Sequence, residues 1–163
     1  MHIKTRNAFT MLELTFVIVI IGILSAVAIP KLSLTRDDAV ITKARATVAA
    51  VRNAIATERQ KRILRGDFTP ITKLSVQSGY GKSQIFDGFD GNASNPVLEY
   101  PLKPCATAGG TSKGCWQEYS RAVNQFVYWF PTHDYVYFNL SNNKFDCVGS
   151  SAAKKKLCVL LTQ

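Results

Sequence analysis

Few side chains in this sequence have the type and spacing that chemistry requires, and Glu13 is the most informative of them. It opens a stretch from Leu14 to Ile29 that holds no charge and is diluted only by Thr15, Gly22 and Ser25. A carboxylate in a bilayer costs up to ~3 kcal/mol at the centre of a helix and less near its end, so one that is kept there implies a partner. If the chain is cut after Ala8, that partner is the new α-amino group of Phe9, four residues upstream and one helical turn away. The amine belongs to the same chain or to a neighbouring copy whose helix is offset.

The remaining candidates are sparse. Cys105, Cys115, Cys147 and Cys158 all fall in the last third of the chain. An even count beyond a membrane-type segment points to an oxidising compartment and disulfides. Zinc is disfavoured because no Cys-x-x-Cys pair occurs. Of the three connectivities, the simplest is sequence-local: Cys105 with Cys115 around the Gly109-Gly110 turn, and Cys147 with Cys158 around a Lys154-Lys155-Lys156 loop. Asp87, Asp90 and Asn92 offer oxygens at a spacing that suits calcium, without a full EF-hand pattern; an ordinary turn-rich loop is the competing reading. The histidines are His2 and His133. With no phosphate-binding glycine loop, nucleophile elbow or metal-ligand repeat, no enzyme activity and no resident cofactor are expected.

The elements that must position these residues follow from patterning. The 163 residues carry a formal charge of +9, with 47% apolar and 19% charged residues, which suits a folded chain. Residues 1–8 are short, polar and basic, and 21 residues from Phe9 to Ile29 match the ~20 that cross a bilayer as helix. Three readings compete: a signal peptide cut near Ala26-Val27-Ala28, an uncleaved anchor, and a precursor cut before the apolar run. Glu13 favours the third. The segment Ala8-Phe9-Thr10-Met11-Leu12-Glu13-Leu14 resembles the processing site of the type IV pilin and type II secretion pseudopilin family. In that family a prepilin peptidase cuts before a residue that is usually Phe and N-methylates it, and the fifth mature residue is the carboxylate. Gly22 and Pro30 also fall where family helices carry Gly and Pro. Ala8 departs from the usual Gly.

Beyond Pro30, a residue that kinks or opens a helix, Ile41, Ala44, Val48, Val51 and Ile55 recur at helical spacing. Gly66 supplies a C-terminal cap. One helix is therefore predicted over residues 9–64. Residues 31–65 hold nine bases against three acids, and Arg45, Arg52 and Arg59 form a stripe at spacing seven. That stripe reads as a solvated face or as pairing between subunits. Nucleic acid is not an expected partner, since no aromatic residues interleave along the helix. Residues 67–95 read as loop. Gln125–Phe130, Asp134–Leu140 and Lys144–Val148 read as an antiparallel meander with aromatic residues in the core or on a sheet face, and Val97–Tyr100 and Leu157–Leu161 as shorter strands.

The expected class is α+β: a long N-terminal helix packed on a C-terminal antiparallel head. The expected organisation is leader 1–8, membrane or filament-core helix 9–29, amphipathic continuation 30–65 and head 66–163. The resemblance adds weight to a Cys147–Cys158 bridge, since pilin heads commonly hold a C-terminal one, and places calcium in some pseudopilin heads. It implies a structural subunit of a pilus-like filament, first of all a type II secretion pseudopilin supporting protein export. The alternatives are a type IV pilus subunit for adhesion, motility or DNA uptake, and a membrane-anchored periplasmic binding module that never polymerises. The implied partners are a prepilin peptidase, copies of the chain or other pilins and pseudopilins, an inner-membrane assembly platform and lipid. The implied location is the inner membrane, single-pass with a periplasmic head, and then the filament.

Overall fold

The computed structural model describes residues 9–77, 83–106, 113–119 and 124–163, without the side chains of residues 30–35. Ala8, His2 and the Gly109-Gly110 turn lie outside the described residues. The elements are α1 (Met11–Leu64), β1 (Cys115–Glu118), β2 (Gln125–Trp129), β3 (Tyr135–Ser141), β4 (Lys144–Val148) and α2 (Ala152–Thr162). The chain divides into two compact units, Met1–Asp38 and Ala39–Gln163.

In the first unit α1 is apolar all round from Leu14 to Ile29. Its Met11–Ile29 stretch has a mean hydropathy of 2.6, and none of it is buried. The helix carries through Pro30 without ending.

In the second unit one face of α1 is sealed. Ala44, Val48, Val51 and Ile55 are at most 2% exposed, and all four belong to a core shared with the sheet. The helix stops where the sequence predicts. Gly66 has φ of 78°; its N–H donates to the Ile63 carbonyl and the Asp67 N–H to the Arg62 carbonyl, both at 2.9 Å. This pair of bonds is a Schellman cap, which needs a left-handed residue that glycine adopts without strain.

The sheet is an antiparallel meander in the order β1-β2-β3-β4. Asn142 and Asn143, both at positive φ, make the two-residue turn between β3 and β4. Strand alternation turns Phe126, Tyr128, Val136, Phe138 and Phe145 to the core. Phe138 stacks on Phe145 with centroids 5.0 Å apart, and Phe86, from the loop before the sheet, stacks on Phe126 at 4.7 Å. The aromatics are thus core, as patterning suggested, while Trp129, Tyr135 and Tyr137 line the other face, where Lys154 Nζ sits 4.0 Å above the Tyr135 ring.

Three local readings need correction. β1 was not foreseen: Cys-Trp-Gln-Glu is too short and polar to signal a strand. Leu157–Leu161 is not a strand but part of α2, so Lys154–Lys156 lie near the start of a helix and not in a loop. Ser151 caps that helix by accepting from the Lys154 N–H, and Cys158 and Leu161, three apart, bury its inner side. Val97–Tyr100 forms bends, with Val97 in the core. Apolar runs of four or five residues do not distinguish strand from helix or tucked loop.

Gly114, at φ 68°, has its backbone pressed against the side chain of Val40, so a Cβ there would clash with a Val40 methyl. Gly66 has open space where its Cβ would go. Gly66→Ala should therefore cost about 1 kcal/mol, from backbone strain alone, and Gly114→Ala about 3 kcal/mol, from strain plus overpacking. Chemical denaturation of the two variants, disulfides intact, checks the order; equal losses would contradict the close approach.

Candidate functional site

Of the residues flagged near the start of the chain, Phe9 precedes α1 and Glu13 sits on its first turn. Phe9 is 85% exposed. Thr10 and Glu13 form a reciprocal cap: the Thr10 N–H and hydroxyl each donate to Glu13 Oε2 at 3.1 Å, and the Glu13 N–H donates to Thr10 Oγ1 at 3.2 Å. This is a capping box, satisfying helix-start donors that have no intrahelical partner. It also sets a carboxylate at the positive end of the helix dipole. The signal was present as Thr-x-x-Glu directly before an apolar run, and the sequence reading passed over it. Every large apolar side chain of α1 from Met11 to Ile29 is more than 40% exposed, and a Cβ on Gly22 would have nothing within 4 Å. The Pro30 side chain lies outside the described residues.

The arginine stripe also bonds to the chain's own head. Arg45 Nε and Nη2 donate to the Leu160 carbonyl at 2.9 and 2.7 Å. Arg52 Nε donates to the Phe145 carbonyl at 3.0 Å, with its Nη2 3.5 Å from Asp146. Arg59 Nη1 donates to the Thr69 carbonyl at 2.9 Å. Each arginine grips a different part of the chain's own head: the last turn of α2, the edge strand β4 and the loop after α1. The stripe thus engages the chain's own head, with Arg45 still exposed to solvent and Arg52 and Arg59 half-buried. A spacing of seven keeps the three on one side of α1; the Arg45 and Arg59 bonds lie at the surface and are screened by solvent, whereas the Arg52 bond is partly buried.

Asp87, Asp90 and Asn92 do not converge on a cation. Asp90 Oδ1 accepts from the Thr72 N–H at 2.6 Å, the Thr72 hydroxyl at 2.7 Å and the Lys73 N–H at 3.0 Å. Asp90 Oδ2 accepts from Arg62 Nη2 at 2.6 Å. Asp87 takes the Val76 N–H, and Asn92 the Ser94 N–H. The positive charge set against Asp90 is the Arg62 guanidinium, which also reaches the buried Glu58 at 3.0 Å. Among the described residues no group of three or more His, Cys, Asp or Glu side chains is placed to hold a metal.

The disulfides join Cys105 to Cys115 and Cys147 to Cys158, with Cα atoms 5.4 and 5.7 Å apart. Each closes a loop of ten or so residues and stabilises the head by about 3 kcal/mol. The second ties α2 to β4; with the Arg45 clasp it holds the C-terminus against the core. His133 sits in the turn between β2 and β3, at φ 67°.

Burial alone would raise the Asp90 carboxyl. The hydrogen bonds from Thr72, then from Arg62 and Lys73, outweigh it and hold the group below the ordinary value of 3.8. Arg62 is shifted the other way: burial would lower it, and the bonds to Asp90 and Glu58 more than compensate. Because the folded-state value of Asp90 is depressed, its contribution is fully present above the unfolded value of ~3.9 and is lost as pH falls through the folded one. Asp90→Asn should lower stability at pH 7 by roughly 1 kcal/mol, the bonds being partly screened by solvent, and flatten the acid limb below about pH 4. Denaturation midpoints from pH 7 to pH 2 test this, and an unchanged acid limb would contradict it.

No family model matches the chain, and no solved structure matches it. A curated relative does. The type IV narrow pilus major component PilA5 of Thermus thermophilus is 51% identical over 59 residues, a stretch covering 35% of this chain and 51% of that protein. The chain thus matches about half the length of that relative. With an apolar helix at its start and an α+β head, the chain resembles the type IV pilin-like family.

Proposed function

We propose that this chain is a structural subunit of a pilus-like filament, cut between Ala8 and Phe9 and assembled through the Phe9–Ile29 part of its helix. The observation that carries the proposal is an apolar stretch left unburied among the described residues, beside a head unit with a hydrophobic core of its own. Fourteen large apolar side chains from Phe9 to Ile29 are exposed. At ~1.5–3 kcal/mol for each such side chain when fully buried, leaving them in water would forfeit 20 kcal/mol or more. Lipid covers them before assembly and neighbouring copies afterwards.

The outward face of α1 suits such neighbours. Ala46, Ala49, Asn53 and Ala56 are exposed, small and uncharged, and small residues let helix backbones approach closely. The likeness to a pilus component supports the same reading. In this account residues 1–8 are the leader, 9–29 the membrane and filament-core segment, 30–65 the continuation into the head, and 66–163 the body of the head. The subunit waits in the inner membrane with its head in the periplasm. A prepilin peptidase and an assembly platform act on it there.

Cutting changes what Glu13 faces. Before the cut the Phe9 nitrogen belongs to a peptide bond, and Glu13 caps the Thr10 N–H. After it, a charged amine joins the same helical turn, on this chain or an adjacent one. That amine is the expected partner of a carboxylate in an apolar bundle. Gly22 and Pro30 supply local flexibility for packing.

A type IV pilus and a type II secretion filament use the same subunit plan, and the likeness to a pilus component favours the pilus. Deleting the gene separates them: loss of surface pili with normal export supports the pilus subunit, and loss of exoprotein release with normal pili supports the secretion pseudopilin.

Intact mass and N-terminal sequencing of the mature chain should give a methylated Phe9 as first residue. A start at Ile29 would mean an ordinary signal peptide, and a start at Met1 an uncleaved anchor. Glu13→Ala should insert into the membrane as well as wild type but lower filament yield by tenfold or more, equivalent to about 1.4 kcal/mol per subunit contact. Filaments at wild-type yield would sink the assigned role of Glu13.

A further inference from the structure

Within the Ala39–Gln163 unit, an apolar knob and an apolar hollow lie at different levels of α1. The knob is the turn that ends the helix. Leu64 is 88% and Phe68 69% exposed, close together in sequence on either side of the Gly66 cap. Large apolar side chains exposed in company, and not singly, mark a contact surface. The turn presents them firmly. Asp67 Oδ1 accepts from the Thr69 N–H at 2.9 Å and from the Thr69 hydroxyl at 2.6 Å, a local turn with Phe68 at its centre. Asp67 itself is exposed. Arg65 Nε is turned back on the Lys61 carbonyl at 3.2 Å.

The hollow, about 340 Å³, is lined by Thr42, Arg45, Ala46, Ala49, Arg52 and Leu161 among others. Thr42, Ala46 and Ala49 recur at helical spacing, so one face of α1 forms a wall, and their small side chains leave the space open. The charged lining residues are Arg45 and Arg52, with no acidic side chain among the lining. Arg45 is bonded to a carbonyl, a neutral group, so its charge is not cancelled. Arg52 has Asp146 at 3.5 Å. The volume is at the small end of the about 300–1,000 Å³ typical of ligand sites, which admits one or two side chains and not a helix. At ~1.5 Å per residue, about 22 Å of helix separates Ala49 from Leu64, so the knob lies out of reach of its own hollow.

We infer that the Leu64–Phe68 knob of one copy enters the hollow beside Ala46 and Ala49 of a second copy, with Asp67 set against Arg45. The occupant must supply apolar side chains for the alanine and leucine walls and an acid for the arginines at the rim. The knob carries both, in a fixed turn. A contact between two different patches of identical chains is heterologous. It leaves a knob open at one end of the pair and a hollow at the other, so copies add without closing, as a filament requires. The contact is small: one knob buries far less than the ~1,200 Å² of a stable interface, so it holds copies that other contacts already keep side by side. The inference rests on the proposed filament and names a contact within it.

The four native cysteines are all bridged, so added thiols alone react with a maleimide. The test uses the full chain in sheared filaments, carrying Arg65→Cys beside the knob and Ala46→Cys in the hollow, with Leu64, Asp67 and Phe68 in place. A short bismaleimide should link each copy to the next and give a ladder of covalent multimers, and neither single variant should give one. Adding Asp67→Asn, which keeps an acceptor for Thr69, should lower the linked fraction several-fold and remove its dependence on salt. Without added thiols, Leu64→Ala with Phe68→Ala should cut filament yield roughly tenfold, and Phe68→Leu should restore most of the loss caused by Phe68→Ala. Circular dichroism and thiol counting confirm that the variants fold. Dimers from Arg65→Cys alone would overturn the inference, since knob would then meet knob, as would links from that position to a different polypeptide. Filaments that contain the chain but give no ladder would overturn the contact and leave the filament reading standing. Absence of the unaltered chain from filaments would overturn that reading and the contact with it.

Discussion

The arrangement of this molecule depends on how one helix is covered. Along α1, the side chains of Ala44, Val48, Val51 and Ile55 are closed off by the sheet and the loops before it, while none of the Met11–Ile29 stretch is buried. Two demands thus fall on a single 54-residue element. The later part needs a stripe of apolar residues and polar neighbours. The earlier part has no polar face at all, which a helix in water cannot sustain. In the proposed function its cover comes from outside the chain, first as lipid and then as protein.

The head is built so that it does not need that first part. An aromatic layer across β2, β3 and β4 meets the inner face of α1, and two local disulfides fasten the ends of the sheet to the segment before β1 and to α2. The arginines supply a second kind of attachment. Helix and sheet have no backbone hydrogen bonds to exchange, so a helix lying on a sheet is held sideways mainly by packing. Arg45, Arg52 and Arg59 reach past the packed stripe to carbonyls that the sheet and α2 leave open. Their positive charge is used at a helix C-terminus and a strand edge, where carbonyl dipoles concentrate. The excess charge that the sequence places on residues 31–65 is in part a clasp. The Arg62–Asp90 pair does the same work for the long loop, with Glu58 sharing the cation from below.

The long helix and the three later strands were legible because their periods are long or strongly aromatic: Ile41 to Ile55 at 3.6, Gln125 to Val148 at 2. The Gly66 cap and the Asn142-Asn143 turn were legible because positive φ selects few residues. The partners of the arginines were not, since backbone carbonyls leave no trace in a sequence; a stripe of cations looks the same whether it faces water, a neighbour or its own sheet. α2 was misread for a different reason. Leu157–Leu161 is a short apolar run, and the cue to its helix was Ser151 followed by Ala152 and Ala153, a cap before good helix formers. The same holds for Thr10 and Glu13, whose mutual cap was hidden by attention to what else the carboxylate does. Asp90 was singled out for its oxygens, and only the fold reveals that a guanidinium and three local donors have claimed them.

The central claim is that the exposed apolar part of α1 is covered by copies of itself in a filament. A photo-crosslinking residue placed at Val19, deep in that stretch and 58% exposed in the single chain, tests it directly. In filaments sheared from the cell surface, irradiation should join copies of this chain through Val19. Filament fractions that contain the chain but yield only lipid adducts at Val19, or chain found solely in the membrane with no copy-to-copy product, would contradict the account.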